Sequence, residues 1–232
     1  APIVAQIARE SGALVVAVLT TPFAFEGKRR FDVALGGIRR LREKVDNMII
    51  VHNDRLLQFA DHNAPIGRAF AIADEVVSEG ILSVSQLVNV PGEINVDLAD
   101  VKVVMSIPGI ALMAIGRGDG KDAAIEAAEQ AISNPLLDIN VKGAKGILLN
   151  YSGGPDLTLG GVNEAANLVA RQADPNAIIF FGMASPTDEL QDKVKVTLIA
   201  TGIKSMNGGG WMSELGQGFR STFMGHNRAA SW

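Results

Sequence analysis

Between Pro65 and Val90 the residues Ile66, Ala69, Phe70, Ala73, Val76, Val77, Ile81, Val84, Leu87 and Val88 recur at helical spacing, and no shorter element can use that pattern. At about 1.5 Å per residue the run makes a helix of roughly seven turns, close to ~39 Å long. Pro65 suits the first turn, where its missing N–H is no loss, and Pro91-Gly92 stops the run. Gly80 inside it costs about 1 kcal/mol against Ala. A helix of that length can join two domains, and residues 65–90 read as a central connector.

The text before the connector alternates helix and buried strand. Ile3, Val4, Ile7 and Ala8 share a helical face, and Gly12 ends it. Ala13–Leu19 and Asn47–Val51 are too apolar to alternate, as strands covered on both faces are. Between them Arg30–Lys44 reads as a helix with Val33, Ile38 and Leu41 on its apolar side. Helix, strand, helix, strand implies parallel pairing, and residues 1–64 read as the back half of a parallel-sheet domain. After the connector come a helix at Leu98–Met105, a strand at Ile110–Ile115 and a helix at Lys121–Ile132, stopped by Asn134-Pro135. A strand at Gly146–Tyr151, a helix at Gly161–Gln172 and strands at Ala177–Gly182 and Lys193–Thr201 complete a second unit of roughly four strands over residues 91–203. Residues 204–232, rich in Gly, Ser, Asn and Met, read as a flexible tail, because Gly216 and Gly218 break the spacing of Trp211, Leu215, Phe219 and Phe223.

Composition removes several classes of function. With 47% hydrophobic and 20% charged residues in 232, the chain can bury a core. A net charge of -4 offers no footprint for a phosphate backbone, so nucleic acid is not expected as a partner. No cysteine and three scattered histidines argue against a protein-held metal. The longest apolar run, Gly12 to Leu19, is too short to cross a bilayer, and the first residues lack the order of a signal peptide. A soluble, cytoplasmic chain without membrane insertion is expected.

Four groups of residues carry a chemical reading beside a purely structural one. Asn95, Asp97 and Asp100 follow Pro91-Gly92 as Asn-x-Asp-x-x-Asp. Asp97 as N-cap and Asp100 at N3 would satisfy free N–H groups at a helix start; the same carboxylates could orient or deprotonate a water. Asn53-Asp54 follows a strand end, where turn chemistry explains it, but open α/β sheets also bind ligands there and an amide could meet a base edge. Phe70 and Asp74 are four apart on the connector. They are either helix packing or an aromatic platform beside a carboxylate, which suits the adjacent N1–H and N2–H donors of guanine. Glu26 and Arg30 are either a solvated charge cluster or a polar site in the loop after the first strand. A fifth candidate fails: Gly116-Arg-Gly-Asp-Gly-Lys121 has Ile115 and Asp122 where a Walker A loop needs Gly and a hydroxyl. It reads as a Gly-rich turn between strand and helix.

Several separated blocks resemble FtsZ, the bacterial tubulin-like division GTPase. They are Thr21-Pro-Phe-Ala-Phe-Glu-Gly-Lys-Arg29, Asn53-Asp-Arg-Leu-Leu57, Ala69-Phe-Ala-Ile-Ala-Asp74, the acidic loop, Ala131-Ile-Ser-Asn-Pro-Leu-Leu137 and Val196-Thr-Leu-Ile-Ala-Thr-Gly202. The resemblance spans about Ala1 to Ile203 and implies an α/β tubulin/FtsZ fold. That fold comprises a Rossmann-like nucleotide domain, a central helix and an α+β activation domain with a roughly four-stranded mixed sheet. It implies that Glu26 contacts the ribose side of the nucleotide and Arg30 helps around the sugar and base, that Asn53 and Asp74 read guanine with Phe70 beside the ring, and that one subunit inserts Asn95, Asp97 and Asp100 over its neighbour's nucleotide. GTP and GDP would be the ligands, with Mg²⁺ reached only through the nucleotide. Head-to-tail filaments, division-protein adaptors and a place at the mid-cell division ring follow from the same resemblance.

The departures set further expectations. The Gly-rich phosphate cradle of the family is absent from this sequence, so the chain by itself is expected to hold GTP weakly or not at all, as a partial chain would. Glu93 stands where an apolar residue is usual, and Ile107-Pro108 replaces a more polar turn. The short C-terminal peptide that reaches adaptors is also absent. The competing reading is a non-enzymatic module that caps or modulates filaments of a full-length partner. Against it stands the retained set Glu26, Arg30, Asn53, Phe70 and Asp74, for which a capping protein has no chemical need.

Overall fold

The computed structural model describes residues 1–56, 65–90, 92–108, 110–133, 141–184, 190 and 193–203. The tail expected over residues 204–232 and the stop at Asn134-Pro135 lie outside them. Two compact units, Ala1–Val77 and Ser78–Lys204, divide the chain within its longest helix.

The first unit opens with α1 (Pro2–Glu10). Gly12 adopts φ 81, its N–H donating to Arg9 O and that of Ala13 to Ala8 O, a paired closure that left-handed glycine permits. That closure uses residues 11–13, so β1 begins at Val16 and runs to Thr21, later than the apolar run suggested. The first helix also differs from expectation: Ile3 is 76% exposed and Val4 70%, while Ala5 is the buried residue. A 3-10 turn at Ala24–Glu26 leads into α2 (Lys28–Arg42), followed by β2 (Asn47–His52) and the short α3 (Asn53–Leu56). β1 and β2 pair in parallel from Val16 with Asn47 to Thr21 with His52, as the alternation of elements required. Ile38 and Leu41 of α2 join Ala5, Val45 and Met48 in one core, but Val33 faces solvent. Phe31 takes the inward position instead, two helical turns before Ile38 on the same face.

α4 (Ile66–Asn89) is the long helix that the periodicity demanded. The second unit then contains β3 (Gly92–Ile94), α5 (Leu98–Met105), β4 (Ile110–Asp119), α6 (Ala123–Ile132), β5 (Gly146–Gly153), α7 (Leu159–Ala170), β6 (Ile178–Ala184) and β7 (Lys193–Ile203). Its sheet has the order β4-β7-β5-β6-β3, five strands where four were expected. β7 is antiparallel to both β4 and β5, β5 and β6 are parallel, and β3 is a short antiparallel addition to β6. Three residues are too few for periodicity to reveal β3.

Gly116 and Gly118, read as turn residues, lie inside β4. A Cβ at Gly116 would sit 1.8 Å from Ala127 O, and one at Gly118 2.1 Å from Ala123 O. The backbone of α6 therefore lies directly on the strand, and Ala123, Ala124, Ala127, Ala128 and Ala131 form its buried face. Small residues on both partners permit that approach. Ile147, Leu149, Val196, Leu198 and Ala200 continue the core around it.

Candidate nucleotide residues and the acidic loop

In the first unit, the end of β2 and the loop after β1 lie side by side because the strands are parallel and in register. Asn53 follows β2 directly. It is 5% exposed, and its Oδ1 has no hydrogen-bond partner. A buried amide oxygen without a donor is destabilising by about 1–3 kcal/mol, a situation that binding sites tolerate and turns do not require. Instead of a bare turn, Asn53 and Asp54 open the short α3.

Glu26 closes the 3-10 turn. Its Oε1 accepts from the Phe23 N–H at 2.9 Å, and its Oε2 accepts from Arg30 Nη1 at 2.6 Å, one helical turn further on. Thus Glu26 and Arg30 are neither independent nor a loose cluster: the carboxylate is fixed by the backbone, and the guanidinium is fixed by the carboxylate. Phe70, on α4, is 40% exposed and meets Phe23 edge-on at 5.2 Å and Phe25 edge-on at 6.4 Å. Phe23 and Phe25 stack at 5.0 Å. Phe70 is therefore neither sealed in a core nor free in solvent; it is one side of a three-ring wall whose open faces are Phe25 and Phe70. Asp74 is exposed one turn along the same helix.

Three contributors were not singled out from the sequence. Phe23 and Phe25 are two apart, flanking the start of the 3-10 turn, and their spacing beside Glu26 was the available signal. Asp54, read as turn chemistry, accepts from the Ala24 N–H through Oδ1 at 2.8 Å. Burial pushes its carboxyl above the usual aspartate value; the Ala24 hydrogen bond and His52 pull it down, and Glu26 pushes it up. His52 Nδ1 lies 3.3 Å from Thr21 Oγ1 across the strand pair.

In the second unit, Asn95 clamps its own loop. Its Oδ1 accepts from the Gly92 N–H at 2.8 Å, and its Nδ2 donates to Gly92 O at 3.2 Å. Val96 is buried, so its neighbours Asn95 and Asp97 both face outward. Asp97 is the N-cap of α5, with φ -72 and ψ 149, and its carboxylate accepts from the Ala99 N–H at 3.1 Å. Asp100 is half-buried in the first turn. The N-cap half of the capping reading is thus realised at Asp97, while Asp100 makes no reciprocal bond to the cap's backbone. No group of three or more His, Asp or Glu that could hold a metal occurs among the described residues. No described helix is long and apolar enough to cross a membrane.

Parallel and mixed sheets covered by helices define an α/β protein. Comparison with known proteins gives the family. Residues 1–61 match the GTPase domain of the Tubulin/FtsZ family, and residues 109–204 match the C-terminal domain of the FtsZ family. An empty FtsZ dimer from M. jannaschii is 39% identical with a TM-score of 0.81, over 88% of this chain and 59% of that one. The W319Y mutant of M. jannaschii FtsZ is 40% identical with a TM-score of 0.81, over 87% of this chain and 60% of that one. GDP-bound CetZ1 from Haloferax volcanii shares the fold at 18% identity and a TM-score of 0.72, over 96% of this chain and 64% of that one. The chain belongs to the tubulin/FtsZ family of GTPases. It spans about 60% of the length of the FtsZ chains it matches.

Proposed function

We propose that this chain supplies the guanosine-reading part of a GTP site, and the acidic loop that acts on the nucleotide of a neighbouring subunit, in a division GTPase that polymerises head to tail. The observation that carries the reading is the buried, unpartnered Oδ1 of Asn53, on a segment that Asp54 bonds to the turn bearing Phe23, Phe25 and the fixed Glu26 carboxylate, with Phe70 packed on those rings. Guanine offers the amide oxygen an N–H donor and offers Asp74 the N1–H and N2–H pair, while the ribose hydroxyls suit Glu26 with Arg30 behind it. Adenine lacks those adjacent donors.

The acidic loop supplies what phosphoryl transfer to water requires. A carboxylate orients or deprotonates a water facing a γ-phosphate only within hydrogen-bond reach. Asn95, Asp97 and Asp100 sit at an exposed loop and helix start, so a neighbouring subunit brings that reach and hydrolysis follows assembly. The dimeric form of the M. jannaschii protein and the GTPγS-bound protofilament of CetZ2 support self-association as the mode of action. In this reading the filaments form the mid-cell division ring in the cytoplasm, recruit division-protein adaptors, and meet Mg²⁺ with the nucleotide.

Ligand-observed NMR with guanosine and adenosine tests the reading without involving phosphate contacts. The chain should prefer guanosine by about tenfold or more, since one charge-assisted hydrogen bond contributes about 1.5–3 kcal/mol. Asp74→Ala and Asn53→Ala should each erase most of the preference. Equal binding of the two nucleosides, or a preference untouched by both substitutions, would sink the base-reading assignment.

A further inference from the structure

The residues assigned to the nucleoside come from three segments, Phe70 and Asp74 being on α4, and two of the three, discontinuous in sequence, lie side by side at the strand ends. Asn53 belongs to the end of β2, whereas Glu26 and Arg30 belong to the turn after β1 and the start of α2. A site that reads a base with one segment and a sugar with the other depends on the distance between them. A shift of a few tenths of an ångström would let either contact form, but not both at good geometry.

One side chain ties the two segments together at this point. Asp54, next to Asn53, accepts from the Ala24 N–H at 2.8 Å. Ala24 begins the 3-10 turn that Glu26 closes, with Glu26 N–H donating to Phe23 O at 3.0 Å and Gly27 N–H to Ala24 O at 3.1 Å. The turn is short and internally bonded, so fixing Ala24 fixes Glu26. Its two leading amides are each held by a carboxylate: Phe23 by Glu26 and Ala24 by Asp54. His52, preceding Asn53, contacts Thr21, preceding the same turn.

We propose that Asp54 is a positioning residue of the guanosine site: through the Ala24 amide it holds the Asn53 amide and the Glu26 carboxylate at the separation of base and ribose. It touches neither. The inference rests on the guanosine reading above and adds to it a residue that acts on the spacing of the readers.

The test compares guanosine with 2′,3′-dideoxyguanosine, which keeps the base and lacks the hydroxyls that Glu26 would meet. The unsubstituted chain should favour guanosine by about tenfold, the effect of a single hydrogen bond to a charged group. Asp54→Ala should bring that ratio close to one while leaving the binding of dideoxyguanosine within about twofold, a split that general loosening of the fold would not produce. Asp54→Asn should retain the ratio, because an amide oxygen can accept from the same N–H. Should Asp54→Ala fail to fold, Ala24→Pro removes the donor from the other side. Proline suits the first position of a helical turn, and Phe23 already has the extended backbone, φ -63 and ψ 149, that a following proline requires. A guanosine preference that survives Asp54→Ala or Ala24→Pro overturns the role of Asp54 alone. A chain that binds neither nucleoside, or binds both unchanged after Asn53→Ala, overturns the guanosine reading and this inference with it.

Discussion

The carboxylate of Asp97 accepts a 3.1 Å hydrogen bond from the backbone N–H of Ala99, so one side chain both starts a helix and stands in the acidic loop. The two roles can be separated chemically. Asparagine caps a helix about as well as aspartate, whereas alanine loses about 1 kcal/mol. Asp97→Asn should therefore melt like the unsubstituted protein and Asp97→Ala lower, while either substitution made in a full-length protein that carries the phosphate cradle should, on the proposed function, reduce GTP turnover under assembly conditions by about a hundredfold or more. Unchanged phosphate release from Asp97→Asn would remove Asp97 from the proposed chemistry and leave it a cap.

Asp54 makes a prediction about pH. Burial raises its carboxyl above the usual aspartate value of 3.8, so folding favours its protonated form. The stabilisation is fully present below 3.8 and is lost as pH rises through the raised value in the folded protein. Asp54→Asn, which keeps an acceptor for Ala24 without a charge to desolvate, should be more stable than the unsubstituted chain at neutral pH. The difference should shrink as pH falls toward 3.8. Thermal melts of both proteins across that range check the sign; a stability gap that widens on acidification would contradict it.

Gly116 and Gly80 should respond very differently to the same methyl group. At Gly116 a Cβ meets the carbonyl oxygen of Ala127, which is helix backbone and cannot step aside. Gly116→Ala should destabilise the second unit by about 3 kcal/mol or more. At Gly80 a Cβ meets the terminal methyl of Met113, a flexible side-chain end. The helix-propensity gain of about 1 kcal/mol there offsets the repacking, and Gly80→Ala should fall within about 1 kcal/mol of neutral. Urea denaturation of the two variants distinguishes them.

Tyr151 is fully buried, its hydroxyl has no hydrogen-bond partner, and burial pushes its ionisation far above the ordinary tyrosine range. Removing an unsatisfied polar atom relieves a desolvation penalty without opening a large cavity. Tyr151→Phe should raise stability by about 1 kcal/mol, read from the denaturation midpoint. A loss of similar size would mean that the hydroxyl is bonded in solution.

The periodic segments were legible because periodicity reports burial directly. The long α4 and the parallel pair β1 and β2 follow from spacing and element order alone. Errors arose where one backbone served two ends. β1 began late because Gly12 and Ala13 were closing α1, and the glycines of β4 looked like a turn because their role, contact with the backbone of α6, leaves no local pattern. Val33 was misjudged for a related reason: with Phe31, Ile38 and Leu41 already filling the inner face of α2, a fourth apolar residue was left facing water. In the candidate site, residue types suggested Asn53, Phe70, Glu26 and Arg30, but not that Phe23 and Phe25 would complete the wall or that Asp54 would bridge two segments. Those are long-range contacts, and sequence spacing carries no information about them.

The position of β7 has a consequence for how the second unit can be made. It is the last described strand of the chain, yet it lies between β4 and β5 and pairs with both. Until residue 203 has left the ribosome, β4 and β5 each carry an open edge of unpaired amides and carbonyls, with no partner between them. Synthesis proceeds at about 5–20 residues per second, so those edges stay open for seconds while the chain grows. A pause or truncation just before Lys193 would release a chain with two sticky strand edges, whereas one after Ile203 would release a closed sheet.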